Sequence, residues 1–194
     1  MAKEVAVIFA DGCEEVEGLT VVDVLRRLEI PTKMVGLTDR QVMGAHQIAL
    51  TCDAVVSDDL LTADVVAFPG GRGGAERLRD HEALKSIMVQ RQNDGKWNAA
   101  MCAAPIAFAR YGLFKDADFT CFPGFDQVIL SEEPSARFHE DITVVDDQRH
   151  LITSRGPATA MAFAYEIAEQ LGVDTQELQH AMLYDYLQAE FQQK

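Results

Sequence analysis

The sequence lacks the features that mark membrane and secreted proteins. It contains no apolar run of about 18 residues, the length needed to cross a bilayer. Its start, Met1-Ala2-Lys3-Glu4, leads straight into an apolar strand and has no hydrophobic signal-peptide core. We therefore expect a cytoplasmic protein without a membrane partner.

Cysteine is scarce, and its spacing matches no known metal or disulfide motif. The four cysteines, Cys13, Cys52, Cys102 and Cys121, form no C-x-x-C pair, and the five histidines show neither H-x-x-x-H nor H-E-x-x-H spacing. In an intracellular chain this pattern provides neither a disulfide framework nor a zinc site. We expect no metal and no cofactor.

Positive charge is also in short supply. The chain has 17 Lys and Arg against 31 Asp and Glu, a net charge of −14. Because lysine and arginine provide the affinity for phosphate backbones, nucleic-acid binding is not expected. A length of 194 residues with 48% hydrophobic content suits one α/β domain spanning residues 1–194.

Apolar strand patterns alternate with helical patterns along the chain. The predicted strands are Val5–Ala10, Thr32–Leu37, Asp64–Phe68, the run from Trp97 to Cys102, Asp118–Phe122, Ile142–Asp146 and His150–Ser154, and residues 41–51 predict a hairpin turning near Gly44. The predicted helices are Glu14–Leu28, His81–Asn93, one opening at Pro105, one from 156 to 171 and one from Asp174 to Leu187. This order predicts a parallel sheet between helices, with functional residues at the carboxyl ends of its strands.

Cys102 lies where a buried strand gives way to a helix. Pro105 suits the first turn of that helix, because the first helical N–H groups have no intrahelical partner. Those N–H groups and the helix dipole favour an anion, so the pattern predicts a lowered pKa for the Cys102 thiol. The alternative is a small hydrophobic residue that ends a core strand.

Two other turns follow strands at the same edge of the predicted sheet. Glu17 lies in the first turn of the first helix, on its apolar face, and a buried carboxyl tends to remain protonated. The alternative is an acidic first turn that suits the positive helix end. The Pro-Gly-Gly-Arg-Gly-Gly loop at 69–74 exposes N–H groups that can hold an anion.

Together these groups provide a nucleophile, a proton carrier and oxyanion donors. Cys102 would add to an electrophilic carbonyl, the amides of 70–71 would receive the oxyanion, and Glu17 would move protons. The same surroundings suit oxidation of a thiolate to sulfinic acid. The residues therefore support both a carbonyl enzyme and a redox sensor, without separating the two.

Four motifs resemble those of the ThiJ/PfpI superfamily, in the branch that contains the Parkinson disease protein 7 and bacterial YajL. They are Phe9–Glu17, Phe68–Gly71, Ala99–Pro105 and Thr153–Pro157, and in this order they span nearly the whole chain. The resemblance implies a flavodoxin-like three-layer α/β sandwich, a homodimer, and Cys102 with Glu17 as the reactive pair. It also implies roles for oxyanion or substrate binding (Gly70, Gly71, Ala103, Arg155) and for the dimer interface (Asp23, Arg26, Arg27).

The resemblance further implies an activity. It points to a glutathione-independent glyoxalase that converts methylglyoxal to lactate, or to a deglycase acting on early glycation adducts, so the partner would be a small aldehyde or a glycated adduct. Either activity would protect against carbonyl and oxidative stress. The implied alternative is a non-enzymatic redox sensor or chaperone in which Cys102 oxidises to sulfinic acid.

Three positions depart from the family pattern. Ala103 follows Cys102 where peptidase members carry a histidine, which disfavours a Cys-His peptidase. Phe122 replaces a histidine found in some members, so we expect a more apolar pocket. Cys13 stands where relatives often have a small residue, and we expect it to fill space; the alternative is a second oxidisable thiol.

Overall fold

A mainly parallel sheet forms the centre of the protein, as the computed structural model shows for residues 3–192. Its seven strands lie in the spatial order β10 (Thr143–Asp146), β11 (Leu151–Ser154), β7 (Trp97–Met101), β6 (Val65–Phe68), β1 (Val5–Phe9), β2 (Thr32–Gly36) and β5 (Ala54–Val55). All neighbouring strands are parallel except β10, which pairs with β11 in antiparallel fashion. The predicted α/β fold is confirmed.

Helices cover both faces of this sheet. They are α1 (Glu15–Arg27), α2 (Arg72–Arg79), α3 (Glu82–Asn93), α4 (Pro105–Tyr111), α5 (Asp126–Glu132), α6 (Ala160–Gln170), α7 (Gln176–Ala181) and α8 (Tyr184–Gln192), with 3-10 turns at Asp58–Leu61 and Pro157–Thr159. Helix α1 packs against α6, and α4 packs against α2 and α3. Within residues 3–192, none of these helices has the length and apolar content to cross a membrane.

A small hairpin docks on the turn that follows β1. Its strands are β3 (Gln41–Met43) and β4 (Ala49–Thr51), and Gly44 N–H donates to the Ile48 carbonyl at 2.9 Å, as the predicted turn requires. Gly12 N–H donates to the Met43 carbonyl at 2.7 Å, and Ala45 N–H donates to the Cys13 carbonyl at 2.8 Å. These bonds fix the hairpin beside the start of α1.

Four of the short strands and α-helices within residues 3–192 were not predicted from the sequence. They are β5, α2, α5 and β9 (Arg137–Phe138), which pairs with β8 (Asp118–Phe119). Helix α2 opens with Arg72-Gly73-Gly74, and glycine disfavours a helix. It forms nonetheless because Ala75 and Leu78 are fully buried, so tertiary packing outweighs local propensity.

The prediction of a single helix from Asp174 to Leu187 is wrong. Leu183 has a φ of 59°, a left-handed conformation that separates α7 from α8. The predicted start at Asp174 is also displaced, because α7 begins at Gln176 and its N-cap is Thr175. Asp174 Oδ1 instead accepts the Gln176 N–H at 3.0 Å.

The sheet order places a topological switch at β1. The chain moves from β1 to β2 on one side, and later returns to place β6 on the other side. At such a point the loops after the two central strands diverge and leave a crevice. The segment before Glu17 follows β1, and Gly70 follows β6, so both lie at this crevice.

Candidate active site

Cys102 occupies a constrained elbow between β7 and α4. Its φ of 59° is left-handed, which costs a non-glycine residue of order 1 kcal/mol or more. Neighbouring backbone holds it in place: Cys102 N–H donates to the Ser154 carbonyl at 3.0 Å, and Phe122 N–H donates to the Cys102 carbonyl at 2.9 Å. The helix begins at Pro105 as predicted. The elbow therefore fixes the direction of the thiol.

Glu17 is completely buried in the first turn of α1. Its Oε2 accepts the Gly70 N–H at 2.6 Å, whereas Oε1 is buried and has no hydrogen-bond partner among the described residues. Burial raises the pKa of Glu17 to about 7, although the neighbouring Cys102 thiol and the Gly70 N–H lower it. At neutral pH this carboxyl is poised between its two protonation states.

The thiol of Cys102 does not have the low pKa expected from the sequence. Burial, followed by the charge and the hydrogen bond of Glu17, raises the pKa of Cys102 to about 12. The N–H groups of Gly71 and Ala103 act in the opposite direction but do not prevail. Helix α4 has seven residues and begins three positions later, so its dipole does not outweigh the loss of hydration.

Glycine is required at both positions of the loop after β6. A Cβ atom on Gly70 would lie 2.6 Å from Cys102 Cβ and 2.8 Å from Glu17 Oε2. Gly71 has a φ of 80°, and its Cβ would lie 2.4 Å from the Gly12 carbonyl oxygen. The absence of side chains here brings the loop, the thiol and the carboxyl into direct contact.

The two glycine amides have different partners. The sequence assigned both of them to an oxyanion, but the Gly70 N–H is already bound to Glu17. The amides that lower the pKa of the Cys102 thiol are those of Gly71 and Ala103. Gly70 thus positions the carboxyl, and nothing in the local sequence distinguishes it from Gly71.

Arg155 lies next to the elbow through its backbone. It follows Ser154, the residue whose carbonyl accepts the Cys102 N–H. Its guanidinium, however, donates to the Glu140 carbonyl at 2.8 Å and lies 5.9 Å from the centre of the Phe138 ring. The side chain is thereby engaged outside the Cys102–Glu17 pair.

Aromatic side chains and an arginine surround the elbow. Phe122, whose N–H binds the Cys102 carbonyl, is 42% exposed and packs over Gly156. Its ring meets that of Phe125 edge-on at 6.5 Å, and the Arg72 guanidinium lies 5.7 Å from the Phe125 ring centre. Phe122 makes this rim apolar at a position where a histidine would make it polar.

The residues proposed for a dimer interface lie on the outer side of α1. Asp23 pairs with Arg27 one turn later at 2.8 Å, and both side chains are about half exposed. Arg26 instead reaches Asp53 at 2.8 Å and the Thr32 carbonyl at 3.1 Å, which ties α1 to β2. Two of the three arginine and aspartate side chains are therefore paired within the same helix.

The other cysteines are buried in the core. Burial raises the pKa of Cys13 and Cys121 to about 12 and that of Cys52 to about 11. Cys13 is fully buried against the backbone of Gly74. Burial and pKa alone therefore do not distinguish Cys102, whereas the elbow and the adjacent carboxyl do.

The fold and the cysteine elbow define a flavodoxin-like α/β protein with a buried cysteine–carboxyl pair. The chain belongs to the DJ-1/PfpI family, whose model matches residues 3–170. This match confirms the resemblance drawn from the four motifs. It also confirms the family assignment for most of the chain, including the whole site.

Several relatives match over most of their length. Protein dj-1beta of Drosophila melanogaster is 33% identical over 195 residues, covering 96% of this chain and 100% of that protein. Its crystal structure has a TM-score of 0.84 at 31% identity, covering 94% of this chain and 98% of that one. The Parkinson disease protein 7 homolog of Danio rerio is 31% identical and covers 87% of this chain and 89% of the relative. The glutathione-independent glyoxalase DJR-1.2 of Caenorhabditis elegans is 26% identical, with coverages of 83% and 84%.

Proposed function

We propose that this protein is a cysteine-dependent glyoxalase of low turnover that converts methylglyoxal to lactate without glutathione. The observation that carries the proposal is the contact between the Cys102 thiol and a carboxyl, Glu17, whose pKa is about 7. A relative at 26% identity that bears the name of a glutathione-independent glyoxalase supports the substrate class. Early adducts of such aldehydes with amines or thiols present the same carbonyl carbon and are substrates of the same class.

The first step is addition of sulfur to the aldehyde carbon. Because the thiol pKa is high, Cys102 is a protonated thiol before the reaction. The Glu17 carboxylate removes the thiol proton as the carbon–sulfur bond forms. The carbonyl oxygen becomes an oxyanion, which then takes the proton from Glu17, so that a neutral hemithioacetal forms and Glu17 is again a carboxylate. In our proposal the N–H groups of Gly71 and Ala103, which lower the pKa of the thiol, donate hydrogen bonds to this oxygen and stabilise its negative charge.

The second step moves hydrogen within the adduct. Glu17 transfers the proton from the former aldehyde carbon to the neighbouring ketone carbon, through an enediol. The aldehyde carbon is oxidised to a thioester while the ketone carbon is reduced to an alcohol, so no external oxidant is needed. Water then cleaves the thioester, which releases lactate and restores the Cys102 thiol.

Lactate formation tests the proposal. Purified protein incubated with methylglyoxal is expected to produce lactate, and the Cys102→Ala variant is expected to produce none above the uncatalysed rate. The matched control is Cys13→Ala, which removes a thiol of similar burial and pKa outside the pair. Equal lactate formation by the wild type and Cys102→Ala would refute the proposal.

A second candidate function is redox sensing by Cys102. The observation that favours it is the protonated fraction of Glu17 near pH 7, because a carboxyl O–H can donate to a sulfinate oxygen. Mild peroxide is then expected to add two oxygen atoms to Cys102 in preference to Cys13, as read by intact mass and peptide mapping. Oxidation of Cys13 with Cys102 unmodified would exclude this function.

We also propose that two copies of the chain associate through the outer face of α1. Val16 and Leu19 are exposed there at 54% and 36%, and the Asp23–Arg27 pair lies on the same helix. Sedimentation or light scattering is expected to give twice the chain mass, and Val16→Arg with Leu19→Arg is expected to yield monomers. A monomeric wild type would contradict the proposal.

A further inference from the structure

Three metal-ligating side chains meet at one end of the docked hairpin, outside the Cys102–Glu17 pair. Glu14 and Glu15 lie at the start of α1, and His46 lies in the turn between β3 and β4. His46 Nδ1 is 2.7 Å from Glu15 Oε2 and 3.6 Å from Glu14 Oε2. One ligand atom from each residue lies within 4.8 Å of the others.

The central carboxylate of this group is rigid. The Glu15 side chain is only 3% exposed, and its Oε1 accepts the backbone N–H of His46 at 2.7 Å. A Cβ atom on Gly44 would lie 2.0 Å from Glu15 Oε1, so the hairpin closes directly over the carboxylate. The Ala45 N–H bond to the Cys13 carbonyl holds the same turn. Glu15 is thus preorganised, with Oε2 directed at the imidazole.

The spacing of the ligand atoms suits a small tetrahedral ion. Ligands bound at about 2.0–2.2 Å in a tetrahedron are about 3.3 Å apart, and the two distances from His46 Nδ1 lie on either side of this value. A metal ion would replace the proton shared by His46 and Glu15. The His46 side chain is 66% exposed, so it can shift by a few tenths of an ångström, and water can complete the coordination.

We propose that Glu14, Glu15 and His46 bind one divalent transition-metal ion of the zinc class. Two carboxylates and one imidazole favour zinc over calcium and magnesium, which prefer oxygen ligands alone. The chain's net charge of −14 also favours a cation at its surface. The bound ion would clamp the β3–β4 hairpin onto the first turn of α1.

Cobalt(II) is the probe, because its visible absorption reports tetrahedral coordination and zinc(II) displaces it. The titration uses the full chain carrying Cys102→Ala, so that no thiolate of the other site contributes. One equivalent is expected to bind and to be displaced by zinc. His46→Gln should abolish the absorption, and Glu14→Gln should weaken binding by about tenfold or more, since losing a residue that only orients a metal ligand already costs that much.

Glu14→Gln guards against a folding artefact, because among residues 3–192 the Glu14 carboxylate meets the hairpin only through its 3.6 Å contact with His46 Nδ1. His139→Gln is the matched control: His139 also meets a carboxylate, Asp118, at 2.7 Å, but Arg137 already pairs with that carboxylate. Binding should therefore be unchanged in His139→Gln. Binding that survives both His46→Gln and Glu14→Gln, or no cobalt absorption at millimolar concentration, would overturn the proposal. Neither result bears on lactate formation by Cys102.

Discussion

Two buried carboxyls, Glu15 and Glu17, stand two residues apart on α1, yet their surroundings have opposite effects. Burial alone raises the pKa of both. At Glu15 the His46 ring and backbone donors reverse this, and the pKa falls below its usual value. At Glu17 the donors are the Gly70 N–H and a thiol, and the pKa rises to about 7. The comparison shows that the depth of burial and the donors that a carboxyl finds together decide whether it acts as a fixed charge or as a proton carrier.

The largest expected difference between the two carboxyls is in catalysis. Glu17→Gln should lower kcat/KM for methylglyoxal by about 10²–10⁴-fold, because it removes the general base. Glu15→Gln should change it by less than about tenfold, or 1.4 kcal/mol in activation free energy, because Glu15 does not touch the sulfur. Lactate assays on both variants check this. Equal losses would mean that the two carboxyls do not have separate roles.

Stability should respond to pH with opposite signs at the two positions. The folded pKa of Glu17 is raised, so the folded state binds the proton more tightly and loses stability as pH rises from about 4.5 to about 7. Glu17→Gln removes this loss, so relative to the wild type it should gain on the order of 3 kcal/mol in unfolding free energy between pH 4.5 and pH 8.

Glu15 should show the reverse pattern. Its folded pKa is lowered, so its stabilising contribution is present above pH 4.5 and is lost as pH falls through the folded value. At pH 6, Glu15→Gln should cost about 1–3 kcal/mol, the value of a hydrogen bond to a charged group. Denaturant titrations across this pH range measure both effects. A stabilising Glu15→Gln at pH 6 would show that His46 does not hold the carboxylate.

Alkylation of the thiol gives a smaller but more direct signal. The Cys102–Glu17 pair loses its first proton near pH 7, whichever partner keeps the second, so the rate with iodoacetamide should rise through pH 7 and then level off. In Glu17→Gln the rate should keep rising with pH instead of levelling off, and at pH 8 it should exceed the wild-type rate, because the charge and hydrogen bond of Glu17 no longer raise the pKa of the thiol. Peptide mass spectrometry follows Cys102 separately from Cys13. An alkylation rate that is the same in the wild type and in Glu17→Gln would show that Cys102 and Glu17 titrate independently.

The smallest effect is expected at Cys13. Cys13→Ala should leave kcat/KM within about twofold of the wild type, or 0.4 kcal/mol in activation free energy. Cys13 shares the burial and the high pKa of Cys102, but it lacks the positive φ of Cys102, and the carboxyl that raises its pKa is Glu15 rather than Glu17. A tenfold loss on this substitution would assign Cys13 a role that its geometry does not explain.

The convergence of Cys102, Glu17 and the loop after β6 could be predicted because parallel strands end at one edge of a sheet. The sequence could not reveal the partners within that edge. Gly70 and Gly71 are identical residues, and only their three-dimensional neighbours show that the first binds Glu17. The raised thiol pKa likewise depends on how much water the folded chain excludes, which a local helix-dipole argument does not include.

The contact between His46 and Glu15 could not be predicted for a similar reason. The two residues are 31 positions apart, and they meet because the hairpin folds back over the turn after β1. Metal motifs are recognised in sequence when their ligands share one element or adjacent turns. Ligands from a hairpin and a helix leave no such spacing.

The bare α-carbon at position 70 has a consequence for anyone who would redesign this protein. A methyl group there would collide with both members of the Cys102–Glu17 pair, so no substitution at that point can retune the distance between them. Altered selectivity has to come from Phe122, whose exposed ring leaves space to vary, and from its half-buried neighbour Phe125. The geometry of the Cys102–Glu17 pair is thus fixed by the backbone, whereas the aromatic residues at its rim can be varied.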